Sequence, residues 1–319
     1  MTHRATWFRI AYAAMAGIII LTGIMMSNAY HLQLLTFIGI NTLLALGLNM
    51  LMGYAGQISL GHAAFYGIGA YTTAILTVHY SLSPWLALPA AILIAMAVAY
   101  IVGVPTLKLS GYYLGMGTLG FGMIFHILFR EWSSVTGGAS GFIGIPPLEL
   151  GPISFTSGRN YFYLVWALVL LSIIICQRII DSRIGRGLRA IHDGEKAAKA
   201  VGVNTSSLKL QVFVLSAALS ALAGFLYAHM VYFISPGTFD FITSIRMVTM
   251  VVIGGMASIW GALLGASLLT LLPEWLHSFS EFEMLVYGLV LMTVMIFLPQ
   301  GLTRGLMDLY ERSKKSQTR

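Results

Sequence analysis

Two glycine-rich stretches hold most of the polar side chains of this sequence that could do chemistry within apolar surroundings. The first covers residues 49–71 and the second residues 244–272. Neutral amides, hydroxyls and an imidazole suit a path for a polar solute, because binding along a path must be weak enough for release. The candidate path or hinge residues are Asn49, Gly53, Gly56, Gln57, Ser59, Gly61, His62, Gly254, Gly255, Ser258 and Gly261, with Asn41 and Trp260 beside them.

The same residues also have a structural interpretation. Serine and glycine let helix backbones approach closely, and an asparagine or glutamine can bridge neighbouring helices. Ser59 and Ser258 fit such packing, and a lone histidine such as His62 is more often a satisfied buried side chain than a ligand. For Gln57 and His62 the glycine-rich break supports a path or hinge role as well as a structural one.

Motifs for catalysis and for metal binding are missing from the sequence. It contains no Gly-Lys pair, hence no phosphate-binding loop of that type, and no His-Glu-x-x-His motif. The lone Cys176 makes neither a disulfide nor a metal site and is interpreted as a packing residue. Asp240 and Arg246 flank the second stretch near its outer end, where a loop or gate role suits them. We therefore predict no catalytic residue, no metal and no enzyme activity.

The elements that position these residues must be membrane helices. The sequence is 58% hydrophobic and 9% charged, with a mean hydropathy of +0.84, so it cannot supply the charged surface of a soluble domain. A bilayer core of about 30 Å needs roughly 20 apolar residues per helix. We predict an all-α, polytopic membrane bundle of about 8–10 helices. The first run is taken as a retained span rather than a cleaved signal. The predicted spans are 8–26, 32–51, 58–78, 85–107, 111–129, 161–176, 211–234 and 282–298.

The second glycine-rich stretch does not fit a simple count of crossings. Residues 244–272 are too few for two full crossings and too many for one, and Gly254-Gly255 interrupts them. A pair of half-helices or a re-entrant hairpin would account for this length, provided that protein or a watery cavity covers the break. The weak similarity between GQISLGHA, from Gly56, and GMASIWGA, from Gly255, indicates an internal two-fold repeat.

The positive charges set the predicted orientation. They cluster in residues 178–209, in the tail after Gly301 and at Arg4 and Arg9, and cytoplasmic segments carry such an excess. The net charge of +7 therefore indicates membrane topology and lipid contact rather than nucleic-acid binding. We predict one membrane domain over residues 1–319, with both termini in the cytoplasm. It includes an outer loop at 130–160, a cytoplasmic loop at 177–210 and a basic tail at 300–319.

The cytoplasmic loop has amphipathic character. Ile184, Leu188 and Ile191 recur at helical spacing, Gly194 interrupts the pattern, and the segment EKAAKAVG forms a second short helix that ends at Gly202. One interpretation is a solvated basic loop that touches anionic lipid. The other is a docking element that presents small residues to a groove in a partner protein.

Three segments of the sequence closely resemble the membrane permease subunits of branched-chain amino acid ATP-binding-cassette (ABC) importers. They are GYAGQISLGHAAFYGIGAY at residues 53–71, the cytoplasmic loop with QVFVLSAALSALAGFLYA at 211–228, and GGMASIWGALLG at 254–265. The resemblance extends over residues 36–301. Within the family, the long outer loop is typical of the larger of two paralogous permeases. The loop segment IHDGEKAA departs from the more acidic stretch of the family, which weakens the assignment of ATPase contacts to His192 and Gly194.

The resemblance implies the partners and location of the chain. The implied partners are a paralogous permease in a heterodimer, two cytoplasmic ATPase subunits that bind the ATP, and an extracytoplasmic binding protein. The chain itself would hold no cofactor and would lie in a bacterial inner membrane. Residues 185–203 would be the coupling region. Within it, the resemblance assigns contacts to the ATPase to Gly185, Arg186, Arg189, Glu195, Ala197, Ala198 and Gly202.

Three alternatives remain at this stage. Related permeases carry urea or short-chain amides, and a small neutral solute would suit an uncharged path. A channel or ion-coupled carrier that works alone shares the same composition, although the spans lack the acidic residue that ion coupling usually needs. The permease pair could also be a homodimer.

Overall fold

A computed structural model of the chain describes residues 2–26, 28–150, 153–155 and 158–276, together with 288–289, 292–293, 296 and 301–303. The predicted span at 282–298 and the basic tail therefore lie almost wholly outside the described residues. The described part is built from helices with only four two-residue strands, which confirms the all-α class.

The helices follow the apolar runs of the sequence. Five stretches are long and apolar enough to cross a membrane, at Ala29–Tyr54, Pro84–Thr106, Tyr112–Glu131, Gly158–Asp181 and Thr205–Val231. The helices are α1 Thr2–Met25, α2 Ala29–Asn49, α3 His62–Ala74, α4 Pro84–Thr106, α5 Tyr112–Glu131, α6 Ser133–Thr136, α7 Gly158–Asp181, α8 Arg183–Asp193, α9 Glu195–Ala200, α10 Thr205–Val231, α11 Phe241–Gly254 and α12 Ile259–Leu276.

Both glycine-rich stretches contain the predicted helix breaks. After α2 the chain forms a π-helical turn at Met50–Tyr54 and then runs without helix to Gly61, so that α3 has only 13 residues. We call residues 55–61 the first break. In the second stretch α11 ends at Gly254 and α12 begins at Ile259, and we call residues 255–258 the second break. Ala257 has a positive φ of 57°, so the backbone there turns sharply.

Three predicted span boundaries are wrong. The third span was expected to begin at Ile58, but α3 begins at His62 because the first break occupies the preceding residues. The span at 161–176 was expected to be short, whereas α7 runs on through Asp181 and has 24 residues. Helix α10 begins at Thr205 rather than Gln211, because the Asn204 side chain accepts a hydrogen bond from the Ser207 N–H and caps it there.

Helix α10 lies at the centre of the bundle and packs against α2, α3 and α4. Small residues allow this. A side chain at Gly69 of α3 would collide with the Ala221 carbonyl oxygen, and one at Gly224 would collide with the Tyr66 carbonyl oxygen. Such close backbone approach is typical of membrane helices, whose association depends on packing rather than on the exclusion of water.

The long loop between α5 and α7 folds into a cap over one end of the bundle. Strand β1 (Phe142–Ile143) pairs antiparallel with β4 (Phe233–Ile234), and β2 (Glu149–Leu150) pairs with β3 (Ile153–Ser154). The Trp85 indole donates a hydrogen bond to the Glu149 carbonyl at 2.7 Å. Helices α8 and α9, which follow α7, lie at the opposite end of the bundle, because α7 runs from the cap to them.

Candidate functional site

Asn49 joins the end of α2 to the second break. Its side chain is 1% exposed. The amide Nδ2 donates to the Ser258 carbonyl at 2.6 Å, and Oδ1 accepts from the Ala257 N–H at 3.0 Å. A break in a membrane helix leaves backbone groups without partners, and here one side chain supplies a donor and an acceptor to two of them.

Glycines let the two breaks lie in direct contact. A Cβ atom at Gly53 would collide with the Asn49 side chain and with the Ala257 amide nitrogen. A Cβ at Gly254 would collide with the Gly261 carbonyl, which brings α11 and α12 together as a tight hairpin. The Thr303 hydroxyl donates to the Gly254 carbonyl at 3.0 Å and satisfies another open backbone group. Of the predicted path residues, the structure thus unites Asn49, Gly53, Gly254, Gly255, Ser258 and Gly261.

Ser59, His62 and Ser216 form a second polar cluster. His62 is fully buried, with Nδ1 2.8 Å from the Ser59 hydroxyl and Nε2 2.5 Å from the Ser216 hydroxyl of α10. Both ring nitrogens therefore have partners. The interpretation of His62 as a satisfied buried histidine fits this geometry, which fixes the start of α3 against α10. Ser216 was missed in the sequence, although its spacing of four from Ser220 signals a polar stripe on α10.

Other residues of the first break also make contacts within the protein, although Gly56 and Ile58 are exposed. The Gln57 side chain turns back and donates to the Ala55 carbonyl at 3.1 Å. The Leu60 N–H donates to the Thr118 hydroxyl of α5 at 3.0 Å, and Gly61 packs against the Thr118 backbone. Asn41 lies apart from both breaks, where it donates to the Thr270 hydroxyl of α12 at 2.9 Å.

A small cavity lies where α3 and α11 begin. Its volume is about 10 Å³, close to the space of a single water, and Asp240, Ser244 and apolar side chains line it. Asp240 caps α11 by accepting the Thr243 N–H at 2.8 Å, while the Ser244 hydroxyl accepts the Ala63 N–H at 3.1 Å. The two helix starts are therefore tied together around a nearly closed space.

The two helices predicted in the cytoplasmic loop are present as α8 and α9. The Ser182 hydroxyl caps α8 by accepting the Ile184 N–H at 3.1 Å. Two residues of the predicted apolar face of α8, Leu188 and Ile191, are buried, but the third, Ile184, is 39% exposed. Helix α9 ends before Gly202, whose φ of 85° favours glycine.

Glu195 and Lys209 make an ion pair beneath α9. The Lys209 ammonium is 3.0 Å from Glu195 Oε1, donates to Oε2 at 3.1 Å, and also donates to the Leu107 carbonyl at 3.0 Å. Burial alone would raise the pKa of Glu195, but the hydrogen bond and charge of Lys209 outweigh it and hold that pKa below its usual value. Lys209 counted only as a surface charge in the sequence, yet the residue is 3% exposed.

The predicted coupling residues fall into an exposed group and a buried group. The exposed residues are Arg186, Arg189, Ala197 and Gly202. The Arg189 guanidinium also donates a hydrogen bond to the Ile180 carbonyl at 3.2 Å. Gly185 is buried and packs against the Ile180 backbone. Ala198 is also buried, so the expectation that it is presented to a partner is wrong, because α9 turns this face toward its own chain.

Helix α8 also contacts the first break. Gly56 has a φ of +65°, and a Cβ atom placed on it would lie 3.2 Å from His192 Nδ1 and 3.5 Å from His192 Cα. His192 stands in the last turn of α8. A displacement of α8 would therefore press directly on the first break, without an intervening helix.

Comparison with known proteins yields one family. The family model described as "Branched-chain amino acid transport system / permease component" matches residues 30–298. The high-affinity branched-chain amino acid transport system permease protein LivM of Salmonella typhimurium is 36% identical over 283 residues, 82% of this chain and 67% of that protein. LivM of Escherichia coli is 37% identical over the same coverage. LivH of Salmonella typhimurium is 26% identical over 285 residues, 82% of this chain and 90% of LivH.

Proposed function

The chain belongs to the family of permease components of branched-chain amino acid transport systems, and we propose that α8 and α9 couple its two helix breaks to separate ATPase subunits. It is a multi-pass membrane permease of the ABC transporter type. The proposal adds how this permease is driven and which of its parts move.

One continuous set of contacts carries this proposal. His192 in α8 lies against Gly56 of the first break. Asn49, at the preceding helix end, binds two backbone groups of the second break. A force applied to α8 would therefore reach both breaks within two steps of direct contact, and packed segments of this kind shift as units rather than deform continuously.

The energy source is proposed to lie outside the chain. The sequence has no Gly-Lys phosphate loop. The exposed face of α8 and α9 offers Arg186, Arg189, Ala197 and Gly202 to a protein groove. Two ATPase subunits that close on ATP would move these helices, so ATP is bound by the partners and no cofactor by the permease itself. Ion-coupled transport by the lone chain is the opposing hypothesis.

The remaining partners and the orientation also belong to the proposal. The chain resembles both LivM and LivH of Salmonella typhimurium, two permease proteins that carry the same transport-system description, which supports pairing with a paralogous permease. A binding protein would dock on the cap formed by residues 132–150 and 153–155. The positive charges of residues 178–209 support a cytoplasmic position for α8, α9 and both termini in a bacterial inner membrane.

The mechanism follows from the closed state of the site. In this structure the side chains of Asn49, Gln57 and His62 are hydrogen-bonded within the protein, and the cavity between α3 and α11 is small. Movement of α8 would shift the first break against α10 and α5, open this space and let solute pass. The hydrogen bonds of Ser59, His62 and Gln57 would then reform behind it, as weak neutral contacts allow.

The test replaces Ala197 by tryptophan on the exposed face of α9. We expect Ala197→Trp to prevent binding of the ATPase subunits and to reduce ATP-driven uptake of leucine at least tenfold, because the bulky ring cannot enter a groove shaped for alanine. Ala198→Trp would not distinguish a loss of ATPase docking from a damaged fold, since the buried Ala198 cannot be enlarged without strain.

The matched control is Ala139→Trp, the same substitution at an exposed residue of the cap at the opposite end of the bundle. It should retain ATPase subunits during purification. Full ATPase binding and uptake by Ala197→Trp would refute the assignment of α9 as a docking helix. Uptake of radiolabelled leucine, isoleucine, valine and urea then identifies the solute, and ATP-driven uptake of urea without uptake of leucine would contradict branched-chain amino acid transport.

A further inference from the structure

A large groove runs between α4, α9 and α10 at the end of the bundle that carries the short loop helices. Its volume is about 1660 Å³. It is separate from both helix breaks but shares Ala197, at its edge, with the proposed docking face of α9. The groove has a polar end, formed by the end of α4, α9 and the start of α10, and an apolar end that extends along α4 and α10. A molecule that fills it must be charged at one end and apolar at the other.

The polar end is positively charged. Lys108, Lys196, Lys199 and Lys209 line it together with a single acidic residue, Glu195. The Glu195 carboxylate lies 3.0 Å from the buried Lys209 and 3.8 Å from the exposed Lys199. One carboxylate therefore faces four lysines, and the polar end of the groove keeps a net positive charge.

The start of α10 adds to this positive potential. Its first turn faces the groove through Ser206 and Ser207, and a helix N-terminus carries a partial positive charge and open N–H groups. Asn204 caps only the Ser207 N–H there. The lysines and this helix start together provide what an anionic phosphate group requires.

The apolar end consists of two facing stripes. Met96, Tyr100 and Val104 recur every four residues on α4, and Leu210, Val214 and Ala218 do so on α10. Eight residues of helix extend about 12 Å, which matches a large part of one acyl chain. Tyr100 is 57% exposed and Val104 43% exposed, so the part of the chain that the structure describes leaves this wall uncovered.

We propose that this groove binds an anionic phospholipid, with its phosphate between Lys108 and the α9 lysines and its acyl chains along α4 and α10. Charge complementarity at one end and an uncovered apolar wall at the other specify an amphiphile rather than a soluble anion. The lipid would join the end of α4 to α9 and hold the short helix in position. This inference concerns the chain as a membrane protein and holds whichever solute is carried.

The experiment measures lipid binding to the purified permease complex. Phosphatidylglycerol, phosphatidylcholine with the same acyl chains, and soluble glycerol phosphate are added to delipidated protein. Bound lipid is counted by native mass spectrometry, and the thermal unfolding midpoint is recorded. We expect phosphatidylglycerol to bind and raise the midpoint, while the other two compounds do neither.

Two groove variants test the location. The triple variant Lys108→Gln, Lys196→Gln, Lys199→Gln should bind phosphatidylglycerol on the order of 100-fold more weakly, since each lysine near an anionic lipid contributes roughly fivefold in affinity. Ala218→Trp fills the apolar end without a change of charge and should also lose the lipid. The control Arg178→Gln, Arg183→Gln removes two exposed charges outside the groove and should bind as the unmodified chain does.

Three outcomes would overturn the proposal. The first is undiminished phosphatidylglycerol binding by the triple variant and by Ala218→Trp. The second is equal stabilisation by soluble glycerol phosphate, which would reveal a phosphate site without a lipid. The third is loss of the paralogous permease from the Ala218→Trp complex with lipid binding retained, which would show that protein covers this face.

Discussion

Asn49 shows how a single residue can support an irregular backbone inside a membrane bundle. Its amide supplies one donor and one acceptor to the second break, where helix α11 has ended and α12 has not yet begun. Buried backbone groups without partners are costly, and no water is available in the bilayer core to satisfy them. The stability of the break and its contact with α2 therefore depend on the same side chain.

Replacement of Asn49 tests this directly. We expect Asn49→Ala to lower the thermal unfolding midpoint and to reduce uptake, because each buried group left without a partner costs about 1–3 kcal/mol. Asn49→Asp should be similarly harmful, since a carboxylate can accept from the Ala257 N–H but cannot donate to the Ser258 carbonyl. The control Asn41→Ala removes an amide from the same helix that binds only the Thr270 hydroxyl. Wild-type uptake by Asn49→Ala would contradict the role of this contact.

The two partners of the Glu195–Lys209 ion pair differ in how deeply they are buried. The Lys209 side chain is 4% exposed, whereas that of Glu195 is 28% exposed. Loss of Glu195 leaves a buried ammonium with only the Leu107 carbonyl as a partner, while loss of Lys209 leaves a carboxylate that water can still reach. Glu195→Ala should therefore be more destabilising than Lys209→Met.

The pH dependence of this pair has a defined direction. The folded pKa of Glu195 lies below its usual value, so its contribution to stability is fully present above the unfolded value of about 4.3. It is lost as the pH falls through the lower, folded pKa. The thermal midpoint of the unmodified chain should decline below about pH 4.3, and Glu195→Gln should remove part of that decline. An unchanged pH profile in Glu195→Gln would show that the pair does not contribute.

Sequence reasoning found the residues of the breaks but not their partners. Asn49, Gly53 and Gly254 were recognised because amides and glycines interrupt an apolar run. Ser216 and Lys209 were missed, since each becomes important only through a contact with a residue more than ten positions away. No local pattern reports such a contact.

At the scale of elements, the short helices form a mechanical unit with the breaks. Helix α8 is fixed at its start by Ser182 and packs its apolar face inward, while its last turn places His192 on Gly56. Gly56 has a positive φ of +65° and is exposed, but an added Cβ would lie 3.2 Å from His192 Nδ1. The contact therefore leaves little freedom for α8 to move without the first break.

The Gly56→Ala variant, compared with a control, separates the effect of the contact with His192 from the effect of backbone strain. An alanine there is strained by its positive φ, at a cost of roughly 1–2 kcal/mol, and its methyl group would press on His192. Gly111→Ala is a control for backbone strain without a contact, since Gly111 has a φ of +57°, a ψ of −125° and no atom within 4 Å of an added Cβ. Both variants should lose stability, but only Gly56→Ala should hydrolyse ATP without a proportionate uptake of solute. Equal coupling ratios in the two variants would contradict the contact as a transmission point.

The elements were predicted better than their ends. Long apolar runs and the clusters of glycine located the helices and both breaks, because these signals are local in the sequence. The starts of α3 and α10 and the end of α7 were misplaced, since capping by Asn204 and packing of the first break against α5 decide them. The contact between α8 and the first break could not be predicted, because it depends on how the whole bundle folds.

For the whole molecule, family membership and structure lead to one account of energy coupling. The chain is a permease component, its breaks are closed by weak neutral contacts, and its basic short helices lie against one of them. Intramembrane carboxylates that would couple transport to an ion are missing from the five described spans, apart from Glu131 and Asp181 at their ends. The proposed function accordingly assigns the energy source to ATPase partners.

Uptake into proteoliposomes tests this assignment most directly. Radiolabelled leucine is offered together with its binding protein to liposomes that contain either the complete transporter with ATP or this chain alone without nucleotide. The account predicts accumulation against a leucine gradient only in the complete system, with loss of accumulation when ATP is withheld. Accumulation against the gradient by the chain alone, in the absence of nucleotide, would contradict it.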